Sequence, residues 1–297
     1  MTTSITVGER VKQLMSRRTP FVHATVVRAQ QPTSAHAGDE AILLSDGTIE
    51  GFVGGQCAQN SVRRAALGAL QGGESVLLRV LPDGDLHFPE AAGASVVVNP
   101  CLSGGALEIF LEPQIPSPLV RICGSAPIAQ ALSQMCELVG FEVEQSDSDD
   151  ALTDTTAVVI ASHGGAEAAM IRSALNAGVG YIGLVASRVR GASVLSEVAP
   201  TTAERLRIHT PVGLDIGAKT SAEIAVSIVA ELIAAIRGGG VVAVPRPTAL
   251  AREAVDPVCG MTVTIGPDTV HAVRDDVDHW FCCTGCRDAY LSAIGSP

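Results

Sequence analysis

The sequence predicts an α/β protein made of two domains and a small cysteine-rich module. Three observations carry that expectation. Between residues 119 and 185, strand-like and helix-like segments alternate, which is the pattern of a parallel sheet wound on both faces. The first 113 residues mix β-branched strand runs with two helical stretches and glycine-rich turns. Four of the eight cysteines, Cys259, Cys282, Cys283 and Cys286, crowd together near the end of the chain. At 297 residues the chain exceeds what one small core supports.

Residues 1–113 form the first predicted domain, a mixed α/β fold. Residues 5–18 read as an amphipathic helix. Phe21–Arg28 reads as a strand because Val22, Thr25, Val26 and Val27 are β-branched. Ala41–Leu44 and Thr48–Val53 are short strands joined at the turn signal Ser45-Asp46-Gly47. A glycine pair, Gly54-Gly55, precedes a helix over Ala58–Gln71, and Ser75–Val80 and Ala106–Leu111 return to strand. The proline-rich run Glu112–Pro118 reads as a linker.

Residues 116–237 form the second predicted domain, a Rossmann-like, doubly wound parallel sheet. Its strands are Leu119–Cys123, Phe141–Glu144, Ala157–Ala161 and Tyr181–Val185, with helices running to Val139 and over Ala166–Asn176. Thr220-Ser221-Ala222-Glu223 is a capping box. It opens a helix with Ile224, Ile228, Leu232 and Ile236 on one stripe, which ends at Gly238-Gly239-Gly240. Residues 238–252 are a second linker. The module at 253–297 has a size at which a metal ion usually supplements the core.

Charge and hydropathy exclude several classes. A net charge of −11 argues against a nucleic-acid coat. No apolar run reaches about 18 residues, so no membrane span is expected. Glu9, Arg10, Lys12, Arg17 and Arg18 interrupt the N-terminal segment, which therefore does not read as a signal peptide. A cytoplasmic protein with mostly reduced thiols is expected. Of the 20 basic residues, 18 are arginines, whose forked donors suit oxyanions.

Several positions carry candidate chemistry. Gly124-Ser125-Ala126 sits between strand and helix, where a phosphate turn belongs, with Asp147 placed like a ribose-binding acid. Ala126 stands where a glycine lets a pyrophosphate approach, so NAD is not an expected ligand. Cys57 follows the glycine pair at a helix start, where a thiolate is favoured. Cys101 lies in the glycine-rich loop Asn99–Gly105. Either thiol could act in sulfur transfer, or pack as a small apolar residue. Ser162-His163, Ser187-Arg188 and the run His209–Gly217 with Asp215 follow strands at the sheet edge where open α/β folds bind ligands. Cys259, Cys282 and Cys286 have 22 and three intervening residues, a spacing that can close on one ion, zinc or copper. Cys283, His271, His279 or Asp256 could complete the set.

At these residues the sequence becomes familiar. Asp46-Gly47-Thr48, Gly54-Gly55, and Gly104-Gly105 through Pro113 resemble the xanthine dehydrogenase accessory family, also called the XdhC/CoxI family. So do His163, Tyr181-Ile182-Gly183, Ser187-Arg188, the run His209 through Ala218, Thr220–Glu223 and Glu231. Gln56 intervenes before Cys57, Cys101 stands three residues ahead of Gly104, and Gly124-Ser125-Ala126 replaces a Gly-x-Gly turn. The branch resembled is found beside carbon monoxide dehydrogenase-type enzymes. The resemblance implies a chaperone that binds the molybdenum cofactor, supports its sulfuration and assists its insertion into a molybdenum hydroxylase client. It also implies a cysteine desulfurase or other sulfur donor as partner, and a homo-oligomer. Gly54, Gly55, Cys57, Cys101, Gly124, His163, Ser187, Arg188 and Asp215 are the expected cofactor contacts. Asp256-Pro257-Val258-Cys259-Gly260-Met261 and Trp280-Phe281-Cys282 through Cys286 resemble a YHS or TRASH domain. That resemblance implies metal binding by Cys259, Cys282, Cys286 and Cys283. Two other classes compete: an NAD(P)-dependent oxidoreductase built on the doubly wound domain, and a metal sensor or metallochaperone acting through the cysteine module.

Overall fold

A computed structural model describes residues 5–82, 93–98, 105–145, 152, 154–162, 165–238, 241, 252–274 and 276–294, without the side chains of Cys57 and Ile294. The chain forms two compact units. The first combines Met1–Pro116 with Arg246–Pro297, and the second is Ser117–Pro245.

The first unit opens with α1 (Val7–Ser16), started by a capping box between Thr6 and Glu9. It continues with β1 (Phe21–Gln30), β2 (Glu40–Leu44), β3 (Ile49–Gly51), α2 (Gln56–Gly72), β4 (Val76–Leu81), β5 (Ser95–Val98) and β6 (Ala106–Gln114). The strands form one sheet in the order β3-β2-β1-β6-β4-β5. Only the β4–β5 pair is parallel. One face of the sheet receives Val62, Ala66 and Leu70 of α2 against Val22, Ala24, Leu78, Ile109 and Leu111. The other face receives Leu14 of α1 against Phe21 and Ile42. Each such buried Val, Leu, Ile or Phe side chain contributes about 1.5–3 kcal/mol.

Two boundaries differ from expectation. The linker foreseen at Glu112 starts later, because β6 continues through Gln114 and Pro113 pairs with Val22. The β4 ladder ends at Val76 opposite Leu111, so β6 has only one neighbour there and a residue without an N–H is tolerated. Helix α2 starts at Gln56 rather than Ala58, with Gly55 as its N-cap, which puts Cys57 in the first turn.

The second unit contains β7 (Leu119–Cys123), α3 (Pro127–Leu138), β8 (Glu142–Gln145), β9 (Ala157–Ile160), α4 (Glu167–Asn176), β10 (Tyr181–Leu184), α5 (Arg188–Val198), α6 (Thr202–Arg205), β11 (Ile208–His209) and α7 (Ser221–Arg237). Its five strands are all parallel, in the order β11-β10-β9-β7-β8. Strands buried on both faces read as continuous apolar runs, and β9 and β10 do, whereas β7 is interrupted by Arg121, buried and paired with Glu144 of β8 at 2.6 Å. On one face Leu132 and Cys136 of α3 and Ile228 and Leu232 of α7 cover Val120, Ile122 and Val159. On the other, Ile171 of α4 and Val194 of α5 cover Val158, Ile160 and Ile182. The domain is doubly wound, with its switch of strand order between β7 and β9.

The cysteine-rich segment supplies two hairpins and a helix: β12 (Glu253–Val255) with β13 (Thr262–Thr264), β14 (His271–Arg274) with β15 (Val277–Trp280), and α8 (Thr284–Ile294). It packs on α2 of the first unit. The Asn60 side chain donates to Thr262 O at 2.9 Å and accepts from Thr264 N at 2.9 Å. Arg63, only 4% exposed, reaches Gly47 O at 2.7 Å and Asp268 Oδ1 at 2.5 Å.

Candidate functional site

The C-terminal edge of the five-stranded sheet holds a cleft of about 680 Å³. Ser162 enters it after β9, Val185 through Arg188 after β10, and the loop from Pro211 to Ala218 closes its far side, with Ile224 and Ser227 of α7 at the base. Connections following parallel strands converge on that edge, which is why doubly wound sheets bind ligands there. Ser187 is the N-cap of α5 and accepts a hydrogen bond from Arg190 N at 3.3 Å. Its neighbour Arg188 extends outward, 3.9 Å from Asp215, and both side chains are exposed. The cleft therefore presents a helix start and a solvated Arg–Asp pair.

The far wall is held by close packing. Gly213, at φ +101°, sits where a Cβ would lie 2.4 Å from Ser227 Oγ. A Cβ on Gly183 of β10 would come within 2.6 Å of Val212 Cγ2, and one on Gly191 of α5 within 2.3 Å of Thr210 Oγ1. Glu231 of α7 ties the loop from beneath. Its Oε1 lies 2.6 Å from His209 Nδ1 and its Oε2 accepts from Gly213 N at 2.5 Å. The His209 ring stacks on Tyr181 with centroids 4.1 Å apart. Burial, with the Glu231 carboxylate beside it, pushes the Tyr181 phenol up from its ordinary value. His209 thus acts as a brace. On the α4 side, Glu167 bonds Arg190 Nη2 at 2.6 Å and accepts from Gly165 N at 3.1 Å.

The cysteine segment gathers a second constellation. The ligand atoms of Asp256, Cys259, Cys282 and Cys286 all lie within 4.8 Å of one another. Cys282 Sγ is 3.6 Å from both Cys259 Sγ and Cys286 Sγ. Sulfurs at the corners of a tetrahedron with metal–sulfur bonds of about 2.3 Å are about 3.8 Å apart, so this spacing fits one thiophilic ion. Asp256 is fully buried, and its oxygens accept from Val258 N at 2.8 Å, Cys259 N at 3.3 Å and Cys282 N at 2.8 Å. Burial opposes its ionisation, yet these N–H groups outweigh burial and hold its carboxyl below the usual range. One carboxylate therefore fixes both loops that carry Cys259 and Cys282. Burial pushes the Cys286 thiol up to about 12. A cation in the cluster would reverse that preference by favouring thiolate.

The foreseen residues fall as follows. Ser187, Arg188 and Asp215 meet in the cleft. Gly124 does not line it; at φ +117° it lets β7 close on β9, since a Cβ there would lie 2.4 Å from Ala161 O. Gly54, at φ +132°, turns the chain into α2 with Leu107 Cδ1 3.2 Å from its Cβ position, and Gly55 caps the helix. Cys57 is in the first turn of α2, and its side chain is not described. Cys101, Asp147 and His163 lie outside the described residues. Asp256 stands at the fourth corner of the thiol cluster, whereas Cys283 does not join it. His271 packs against Trp280 and His279 against Tyr290 instead. Glu231 and Gly183, which shape the cleft wall, are marked in the sequence only by the family resemblance, and Gly191 gives no signal at all.

A doubly wound parallel domain with a cleft at its strand ends, accompanied by an antiparallel-rich α/β domain, defines the class of this protein. Residues 120–232 match the model of the XdhC Rossmann domain, and residues 14–80 match that of the XdhC and CoxI family. Over these two segments the chain is similar to the XdhC and CoxI family. It is 27% identical over 251 residues to the Escherichia coli K12 protein YqeB, described as uncharacterized; the match covers 74% of this chain. The chain spans 44% of the length of that curated relative. A solved Bacillus halodurans structure described as a xanthine dehydrogenase is similar at a TM-score of 0.37 and 18% identity, covering 77% of this chain and 95% of that one. Neither family match reaches the cysteine segment.

Proposed function

We propose that this protein is an accessory factor for a xanthine dehydrogenase-type or carbon monoxide dehydrogenase-type molybdenum hydroxylase, and that it binds the molybdenum cofactor and supports its sulfuration and insertion. The observation that carries this reading is the family match over 14–80 and 120–232. The cleft adds chemical support, since about 680 Å³ lies in the range of small-molecule sites. When bound, the cofactor supplies molybdenum on a phosphate-bearing pterin. The backbone N–H groups at the start of α5 and the Arg188 guanidinium would meet its anionic end, and the clamped wall at Val212–Gly217 would shield it from water. The client hydroxylase, a sulfur donor such as a cysteine desulfurase, and self-association belong to the same proposal.

A dinucleotide oxidoreductase is the weaker reading. Pro127 occupies the first turn of α3 and has no N–H to offer a pyrophosphate, and Gly124 is closed against Ala161. The cysteine segment favours an additional role, binding of zinc or copper in the manner of YHS or TRASH modules. As a metal sensor or metallochaperone alone, the chain would have no use for the cleft.

The test is anaerobic purification from a host that makes the cofactor, followed by oxidation and fluorescence of the released pterin. Stoichiometric pterin is expected, reduced several-fold by Arg188→Ala. Protein free of pterin under these conditions sinks the proposal.

A further inference from the structure

Helix α2 is buried on two sides. One side packs on its sheet through Val62, Ala66 and Leu70, as α/β packing requires. The other carries Asn60 and Arg63, polar residues that a lone domain would leave in water, yet they are 5% and 4% exposed. Both bind the cysteine segment. Asn60 uses its whole amide on the backbone of β13, donating to Thr262 and accepting from Thr264 as a neighbouring strand would. Arg63 spans from Gly47 O to Asp268 and Thr269. A Cβ on Gly266 would lie 2.9 Å from Arg63 Nε, so the loop is shaped to let the guanidinium pass. Nearer the thiols, Thr284 N, between Cys282 and Cys286 in sequence, donates to Gln56 Oε1 at 3.1 Å. Cys282 itself lines a small cavity of about 40 Å³ along this seam, together with Gln56, Asn60 and Arg63.

We propose that Asn60 and Arg63 are positioning residues of the Asp256/Cys259/Cys282/Cys286 cluster, so that ion binding at the cluster and the docking of α2 on the cysteine segment are one linked equilibrium. This rests on the reading that the cluster binds a thiophilic ion. The cluster is assembled from the loop between β12 and β13, which carries Asp256 and Cys259, from Cys282 between β15 and α8, and from Cys286 in the first turn of α8. Asn60 of α2 holds β13 and Gln56 holds the start of α8. Residues behind a ligand shell typically change affinity by roughly tenfold or more when removed. Linkage is reciprocal, so an ion that gains from docking must stabilise docking by the same factor. The ion's presence is thereby communicated to the first turn of α2, immediately after the Gly54-Gly55 turn.

The experiment uses the full chain, reduced and metal-free, with Zn(II) as the probe. Its affinity is read by competition with a chromophoric chelator, and amide hydrogen exchange is followed at residues 56–64. Asn60→Ala and, separately, Asp268→Ala are expected to weaken Zn(II) binding by about tenfold with circular dichroism unchanged. Zn(II) is expected to slow exchange at residues 56–64 in the parent chain and to lose that effect in both variants. Asp268 is half-exposed, so its truncation disturbs no core. Should Asn60→Ala fail to fold, Asp268→Ala and the exchange response of the parent chain still decide. Parental affinity in the folded variants, or α2 exchange indifferent to Zn(II), overturns the linkage alone. No Zn(II) binding by the parent chain overturns both the linkage and the metal reading.

Discussion

Replacing Glu231 by alanine should loosen the cleft wall more than any other single truncation in α7. The carboxylate takes two hydrogen bonds, from His209 Nδ1 and Gly213 N, from beneath the loop that runs from Pro211 to Ala218. Bonds to a charged partner contribute about 1.5–3 kcal/mol each when buried. Here the Glu231 and His209 side chains are 19% and 28% exposed, which trims the total to about 3 kcal/mol. For a domain of this size that corresponds to a loss of about 10 °C in the unfolding temperature of the second unit. Glutamine makes a finer probe. Its carbonyl can accept from Gly213 N while its amide donates to His209 Nδ1, provided the imidazole carries its proton on Nε2. Glu231→Gln should therefore cost only about 1 kcal/mol, the difference between a charged and a neutral pair. Calorimetry on the full chain measures the second-unit transition, and hydrogen exchange at residues 209–217 reports the wall directly. Equal shifts for the two variants, or unchanged exchange in the alanine variant, would refute the assignment of Glu231 as the tie.

Three further outcomes are expected. Gly183→Ala places a methyl 2.6 Å from Val212 Cγ2 and should destabilise by about 1–3 kcal/mol, with Gly183→Ala/Val212→Ala recovering part of the loss in a thermal double-mutant cycle. Burial works against the ionised form of Glu167, but Arg190 and the Gly165 N–H hold its pKa below the ordinary 4.5. Its contribution is thus present above about pH 4.5 and fades as pH falls through the lower folded value. The melting difference between the parent chain and Glu167→Gln should shrink accordingly between about pH 6 and pH 3. Cys136 is fully buried, which pushes its thiol up to about 12, so mass spectrometry should show alkylation there at neutral pH only after denaturant is added.

Much of the second unit was legible because its signals are local. The Thr220–Glu223 box and the Ile224–Ile228–Leu232–Ile236 stripe fix α7 without reference to the rest of the chain, and β9 and β10 announce burial on both faces by unbroken apolar runs. Helix α5 was not foreseen, since its buried positions are Gly191, Val194 and Val198, and a glycine chosen for contact with Thr210 leaves no apolar stripe to read. Strand β5 leaves little signal in the sequence, being a short edge strand with Val96 and Val98 exposed. For the thiol cluster, cysteine spacing pointed to Cys259, Cys282 and Cys286, but the fourth corner depends on a carboxylate whose three backbone donors only the folded loop brings together. Asn60 and Arg63 carry no signal of their own within the predicted helix Ala58–Gln71. Their partners lie some two hundred positions later in the sequence, beyond the reach of any periodicity.

The division of the first unit between the two ends of the chain bears on how the protein is made. A ribosome delivers α2 long before β13, with the whole five-stranded domain emerging in between. During that interval the Asn60 amide and the Arg63 guanidinium have only water and Gly47 to satisfy them, and the helix side that will receive β13 stands open. The second unit, contiguous in sequence, can close by itself while the first waits for its last hairpins. Completion of α2's surroundings is therefore a late, long-range loop closure around a finished domain. A nascent or clipped chain lacking the segment from Glu253 onward would leave the Asn60 amide without its two backbone partners and Arg63 without Asp268, a polar strip along α2 that only the last hairpins cover.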